Sequence, residues 1–178
     1  MAKSDTNYFK ETLKVEPQIA QEFLEAVKPI ITATNESEKE YWHVSCLQHT
    51  YRAIIEGNYD WAFSHMTDDV ELEFSGSVAG AVFKSGKGKE SVMEAAIYNY
   101  SLFHEQSPEL LSIVSKGDTV VVIAKEVGVV RATNRAYECH FVQHFTFRDG
   151  KIAKIFSFGD GESLLKALQP NDENDDSI

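Results

Sequence analysis

An Asp-Gly pair between two long, alternating runs is the feature of this sequence that most constrains its fold. Residues 137–160 read YECHFVQHFTFRDGKIAKIFSFGD, with Asp149-Gly150 at the centre. Glycine readily takes the positive φ that a tight turn needs, so the pair predicts an antiparallel hairpin. Side chains of its strands must then alternate between two faces.

The first strand of this hairpin has one phenylalanine-rich face, and a single polar residue interrupts it. That face carries Cys139, Phe141, Phe145 and Phe147 together with Gln143, while the other face carries His140, Val142, His144, Thr146 and Arg148. A buried polar group must find hydrogen-bond partners or face a polar cavity. Gln143 is therefore either a donor in a pocket or a core amide satisfied by backbone groups, and both interpretations stay open.

The order of helical and strand patterns along the chain predicts an α+β domain. Helices are expected at residues 17–34, 41–56, 59–66, 89–104 and 163–168, and strands at 70–74, 109–116, 119–130 and in the hairpin. Pro108 is expected to break the pattern just before the strand at 109. The helices should pack on one face of a strongly curved sheet.

Length and composition indicate one domain and exclude several partners. A chain of 178 residues can bury a proper core. The net charge of −11 argues against nucleic acid and against anionic membrane surfaces as partners. With neither a secretory signal nor an apolar run of membrane-spanning length, the sequence predicts a cytoplasmic protein. Cys46 and Cys139 are expected to be reduced, buried thiols, and no metal-site pattern is present.

Five short motifs, in this order, resemble the SnoaL-like group of the nuclear transport factor 2-like superfamily. They lie at residues 56–60, 66–72, 84–90, 116–122 and 147–160. The resemblance implies a cystatin-like α+β barrel, in which a cone-shaped, curved antiparallel sheet wraps around N-terminal helices and leaves a pocket at its open end. It also implies a homodimer. Residues 41–168 would form this domain, 1–40 an N-terminal extension with an extra helix, and 169–178 a disordered acidic tail.

The resemblance extends to ketosteroid isomerase, whose catalytic positions can be carried onto this sequence. They fall on Thr50, Phe74 and Gln143. Tyr51, one place along the helix, is expected to point about 100° away from Thr50. Phe74 cannot accept a proton, so steroid isomerisation by that mechanism is not expected, although Gln143 can still donate a hydrogen bond.

The candidate catalytic residues are Gln143, His43 and Asp160. Gln143 would polarise a ligand oxygen. His43 could be a base near neutral pH, and the alternative is a surface histidine at a helix start. Asp160 would have a raised pKa if it faced the cavity, and the alternative is a carboxylate that caps the following helix.

The ligand-binding candidates are Thr50, Phe74, Asn99, Gln143 and Phe145. Together they indicate a hydrophobic pocket for a small, largely apolar ligand. Catalysis, if present, would be cofactor-free acid/base chemistry of the isomerase, cyclase or dehydratase kind. The alternative is a non-catalytic ligand-binding or dimerisation module, with the outer face of residues 140–146 as the interface. In a third hypothesis, residues 17–34 cover the mouth of the pocket.

Overall fold

Four helices and one six-stranded sheet make up the part of the chain that the computed structural model describes, residues 38–56, 58–76 and 82–170. In chain order the elements are α1 (Glu38–Ile55), α2 (Tyr59–Ser64), β1 (Met66–Ser75), β2 (Gly86–Lys87), α3 (Lys89–Ser101), β3 (Phe103–Lys116), β4 (Thr119–Val130), β5 (Ala136–Arg148), β6 (Lys151–Gly159) and α4 (Glu162–Leu168). The helix expected at 17–34 and the acidic tail from 171 onward lie outside the described residues.

The strands form a single curved sheet in the order β2-β1-β6-β5-β4-β3, which confirms the predicted α+β architecture. Four of the five strand pairings are antiparallel, as expected. The pairing of β1 with β6 is parallel, because β6 lies between β5 and β1 and runs in the same direction as β1. The sheet is therefore mixed at this one position.

The β5–β6 hairpin has the turn that the Asp-Gly pair predicts. Arg148 pairs with Lys151, so the loop contains two residues. Both have positive φ, 52° at Asp149 and 74° at Gly150. This is the conformation of a type I′ turn, whose twist matches that of the flanking strands. The central prediction is confirmed at the level of backbone geometry.

A β-bulge in β6 decides which of its side chains face inward. Phe147 pairs with Ile152 but Thr146 pairs with Lys154, so Ala153 has no opposite residue. The extra residue reverses the alternation, and Ile152 and Ile155 consequently both lie on the inner face. Strand parity alone could not resolve this face from the sequence.

Strand β3 begins earlier than predicted and contains the proline that was expected to precede it. It runs from Phe103 through Pro108, which pairs with Glu126. Among the described strands β3 lies at the edge of the sheet. A proline is tolerated there because its nitrogen, which carries no hydrogen, can face the side that has no neighbouring strand. Helix α3 correspondingly ends at Ser101 rather than at His104, and α2 ends at Ser64 because Met66 already belongs to β1.

Helix α1 packs into the curved face of the sheet and holds the β3–β4 turn. Its buried residues Val44 and Leu47 belong to the main hydrophobic core. At its N-terminal end the Glu40 carboxylate accepts a hydrogen bond of 2.7 Å from the Gly117 N–H. The His43 Nδ1–H donates to the carbonyl of the same Gly117 at 3.0 Å. These two contacts fix the register of the helix against the sheet.

Helix α4 closes one end of the domain. Leu164 and Ala167 pack in a second core cluster with three residues of the sheet, Phe103, Val130 and Tyr137. Thr133 Oγ1 donates a 2.5 Å hydrogen bond to the Ala167 carbonyl, which would otherwise be a free acceptor at the helix end. The short helix is thus held by both apolar burial and capping.

Replacing Gly150 with alanine should destabilise the protein more than the same change at Gly117. Both glycines have positive φ, which costs alanine about 1 kcal/mol. At Gly150 the new Cβ would also lie 3.1 Å from Trp42 Nε1, whereas nothing lies within 4 Å at Gly117. Urea unfolding of both variants measures the difference. Equal losses of stability would show that Trp42 makes room for the added Cβ without cost.

Candidate functional site

A cavity of about 250 Å³ lies between α1, α3, α4 and the inner face of the sheet. Its walls are largely aromatic and aliphatic, and include Leu47, Phe74, Phe83, Phe103, Phe141 and Phe145. Period-two alternation places the inner residues of neighbouring strands β4 and β5 side by side along this wall. Two of the residues so placed, Gln143 and Glu126, are polar.

Gln143 lines the cavity and is held by Tyr51. The Tyr51 hydroxyl donates to Gln143 Oε1, and no described residue accepts a hydrogen bond from the Gln143 Nε2 amide. The expectation that Tyr51 points away from the site is wrong, because its long side chain reaches across the cavity to β5. Burial raises the pKa of Tyr51, so its hydroxyl stays protonated and remains a donor.

Thr50 and Asn99 also line the cavity, but their polar atoms are engaged with backbone groups. Thr50 Oγ1 donates to the Cys46 carbonyl, one helical turn earlier, at 2.8 Å. Asn99 accepts from the Lys84 N–H at 2.8 Å and donates to the Lys84 carbonyl at 2.9 Å. Asn99 therefore pins the segment before β2 against helix α3.

The structure does not bring His43 into the cavity. Its side chain is only 1% exposed, so the alternative of a surface histidine is wrong as well. It stacks on Phe147 with ring centroids 4.1 Å apart and bonds to the β3–β4 turn. Burial lowers the pKa of His43, outweighing the opposing effects of the Gly117 hydrogen bond and Asp118. The neutral ring serves the packing of α1.

Asp160 lies at the edge of the cavity and is exposed. Its Oδ1 accepts a 3.4 Å hydrogen bond from the N–H of Glu162, the first residue of α4. This contact fits the helix-capping alternative. Burial, the condition under which Asp160 would become an effective proton carrier, is not met.

Glu126 is a partly buried acidic residue that lines the cavity, and the sequence interpretation missed it. It occupies an inward position of β4, opposite Cys139 on β5. Its Oε1 accepts hydrogen bonds from the Tyr137 hydroxyl at 2.6 Å and from Gln106 Nε2 at 3.5 Å. Burial raises the pKa of Glu126, and the two hydrogen bonds oppose that rise because they stabilise the carboxylate. No described residue donates to the second oxygen, Oε2.

Tyr100 places a hydroxyl group near Glu126. It lies on α3 and lines the cavity, and its hydroxyl makes no hydrogen bond to any described residue. Burial and then the charge of Glu126 raise the pKa of Tyr100 to about 12. The hydroxyl therefore remains protonated and can donate to a ligand oxygen.

A pattern in the sequence could have located Glu126. Val120, Val122 and Ala124 are buried at every second position of β4, and the next step of this period is Glu126. The outer positions of the same strand are also apolar, at Val121 and Ile123. Because both faces of β4 are apolar, the alternation could not be seen in the sequence, and Glu126 was not recognised as an inward residue.

Neither thiol of the described chain is activated, and no metal site accompanies the cavity. Both cysteines are free, as predicted, but only Cys46 is buried, whereas Cys139 is half-buried. Burial raises the pKa of Cys46 to about 11, and burial followed by the charge of Glu126 raises that of Cys139 to about 12. Within the described ranges no three histidine, cysteine, aspartate or glutamate residues gather as metal ligands. None of the helices described is long and apolar enough to cross a membrane.

Comparison with protein families identifies this arrangement of helices and sheet. The family model of the SnoaL-like domain matches residues 47–155, more than half of the chain. The chain belongs to the SnoaL-like domain family. A search of curated proteins finds no match to the sequence.

Solved structures share the fold of this SnoaL-like domain at low sequence identity. A nuclear transport factor 2-like protein from Burkholderia xenovorans is 22% identical, with 72% of this chain and 96% of that one covered and a TM-score of 0.61. A Jannaschia protein provisionally named a SnoaL-like polyketide cyclase is 19% identical, over 76% and 97% of the two chains, at 0.63. TerC, co-crystallised with polyporic acid, is 17% identical, over 71% and 97%, at 0.62. At these identities the likeness concerns the fold alone.

Replacing Glu126 with glutamine should change how stability depends on pH. The pKa of Glu126 in the folded state is raised above its ordinary value of 4.5, so the folded protein binds this proton more tightly than the unfolded chain does. Its contribution to stability is therefore fully present below pH 4.5 and is lost as pH rises through the raised pKa. Relative to Glu126→Gln, the wild type should lose unfolding free energy across this window.

Urea unfolding of both proteins between acidic and neutral pH measures this difference. Glu105→Gln is the matched control, because Glu105 is an exposed residue on β3 and not part of the cavity. A constant difference between wild type and Glu126→Gln at every pH would contradict the assignment of a buried, proton-retaining carboxylate.

Proposed function

We propose that this SnoaL-like protein binds a small, largely apolar ligand in the cavity and catalyses a cofactor-free proton transfer on it. The observation that carries the proposal is the Glu126 carboxyl group inside an aromatic cavity, with Oε2 left without a protein donor. Apolar pockets with a few convergent polar groups and a perturbed acid are typical of ligand and active sites. The reaction class is that of isomerases, cyclases and dehydratases.

In this proposal Glu126 moves the proton, in place of the earlier candidates His43 and Asp160. The raised pKa of Glu126 lies closer to neutral pH than that of an ordinary carboxyl group. A group whose pKa is near the working pH can both accept a proton and return it. The Tyr137 hydrogen bond holds the carboxyl group in one orientation.

Tyr100 supplies the hydrogen bond that a reacting carbonyl would need. When a base removes a proton beside a carbonyl group, negative charge develops on the carbonyl oxygen. A neutral hydroxyl group in an apolar site stabilises that charge more strongly than water does, because it is already oriented and little screened. The free Tyr100 hydroxyl, close enough to Glu126 to feel its charge, is suited to this role.

The relatives of the chain are consistent with the proposed ligand class. TerC has been crystallised with polyporic acid, and the Jannaschia protein is provisionally named a polyketide cyclase. We extend from these only the chemical type, a compact molecule with ring systems and oxygen substituents. A cavity of about 250 Å³ is somewhat below the usual range of 300–1,000 Å³ for small-molecule pockets and favours a compact ligand.

Exchange of the α-protons of a bicyclic aryl ketone such as β-tetralone tests the proposed chemistry. The wild type should accelerate exchange of these protons with deuterium oxide, followed by NMR. Glu126→Gln should lower the rate by about 100-fold or more, because general-base catalysis typically contributes that much. Tyr100→Phe should lower it by about tenfold or more.

Two results of this experiment separate the alternatives. Glu105→Gln, the exposed control, should retain the wild-type rate. Binding of the ketone without any accelerated exchange would contradict catalysis and favour the alternative of a non-catalytic binding protein. Exchange that persists in Glu126→Gln would remove Glu126 from the role of base.

We also propose that two copies of the chain associate through the outer face of the sheet. Apolar side chains continue across strands in two registered rows, Val114-Val121-His144-Phe156 and Ile123-Val142-Phe158. Val114 is 59% exposed and Phe158 is 51% exposed. The pairs Lys125–Glu138 and Lys154–Glu73 flank the rows with both signs of charge, so two identical faces can meet without net repulsion.

Sedimentation of the wild type and of His144→Asp tests this association. The wild type should sediment as a dimer, and the variant should be largely monomeric because it introduces a charge in the middle of an apolar row. Tyr98→Asp is the control, since Tyr98 is an exposed aromatic residue on α3 and not on the sheet. A monomeric wild type would rule out this interface.

A further inference from the structure

The two polar residues of the inner sheet face stand at a distance that a ligand must match. Gln143 pairs with Val122 across β4 and β5, whereas Glu126 pairs with Cys139. They are thus four residues apart along adjacent strands, which corresponds to about 13 Å along the sheet and about 5 Å across it. Both side chains line the same cavity.

The wall between these two residues is apolar. Ala124 on β4 and Phe141 on β5 occupy the intervening inward positions and pair directly with each other. Each polar residue leaves one hydrogen-bonding group without a partner among the described residues, the Gln143 Nε2 amide and the Glu126 Oε2 oxygen. The Tyr100 hydroxyl also lines this cavity.

The hydrogen bond from Tyr51 fixes the orientation of the Gln143 side-chain amide. Because its hydroxyl donates to Gln143 Oε1, the amide is fixed with its donor group Nε2 left for the cavity. The Gln143 end therefore selects an acceptor, such as a carbonyl or hydroxyl oxygen. The Glu126 end can accept a hydrogen bond from a ligand hydroxyl, or donate one when the carboxyl group is protonated.

We propose that the ligand is a flat, elongated molecule with an oxygen function at each end, one bound by Gln143 and the other by Glu126. This inference rests on the proposed function, since it assumes that the cavity takes a ligand at all. Allowing about 2.8 Å for each hydrogen bond, the two ligand oxygens lie roughly 8 Å apart. A volume of about 250 Å³ spread over the roughly 13 Å between the two polar residues leaves a cross-section on the order of 20 Å², which suits a planar ring system.

Isomeric naphthalene diols test the spacing directly. In one diol the hydroxyl groups lie at opposite ends of the long axis, separated by about the required distance, and in the other both lie on the same ring. The two have equal composition and similar apolar area. Calorimetric titration of the wild type should give at least about tenfold tighter binding of the long-axis diol, because one further hydrogen bond is satisfied.

Two variants and a matched control assign the contacts. Gln143→Leu should remove the preference for the long-axis diol, and the variant should still bind unsubstituted naphthalene. Tyr51→Phe should weaken the preference without abolishing it, because the Gln143 amide remains but loses its fixed orientation. His140→Leu, on the opposite face of the same strand, should leave both affinities unchanged.

The outcomes distinguish this inference from the proposed function. Equal binding of the two diols by the wild type, or a preference that survives Gln143→Leu, would overturn the two-ended ligand. Naphthalene binding and ketone exchange would then still support the proposed function. Failure of naphthalene and both diols to bind would overturn both proposals.

Discussion

The fit of helix α1 into the concave face of the sheet is the constraint on which the rest of the structure depends. The helix is fixed at one end by the β3–β4 turn, where Glu40 and His43 both bond to Gly117. Further along, Leu47 fills the space against the sheet, and Tyr51 contacts β5 through its hydrogen bond to Gln143 and its edge-on ring contact with Phe145. Because the sheet curves away from a straight helix, the space beyond Leu47 is incompletely filled, and this space is the cavity.

The polar groups of this cavity are costly for the fold, which is a reason to regard them as functional. A partly buried carboxyl group loses hydration that two hydrogen bonds restore only in part. An apolar residue at position 126 would avoid this cost and would continue the pattern of Val120, Val122 and Ala124. The chain keeps a glutamate there, and the Tyr137 hydroxyl and the Gln106 amide donate hydrogen bonds to it.

The sequence predicted those features that follow from local periodicity and turn chemistry. Asp149-Gly150 specified the hairpin, and alternation placed Gln143 on the inner face. The failures have physical causes. A bulge at Ala153 reverses the alternation of β6, an apolar outer face hid Glu126, and helical geometry gave the direction of the Tyr51 Cα–Cβ bond but not the reach of its side chain. Pro108 was misread because its tolerance depends on an edge position that local sequence does not reveal.

Pro108 also affects whether a strand of another molecule can add to the β3 edge of the sheet. An edge strand with free backbone groups is a template on which another strand can add, and this is a common route to aggregation. In β3 the proline removes one backbone donor in the middle of the strand, and the exposed Glu105 and Glu109 place negative charge on either side of it. The edge is therefore poorly suited to adding strands, which fits the proposal that two copies associate through the face of the sheet instead.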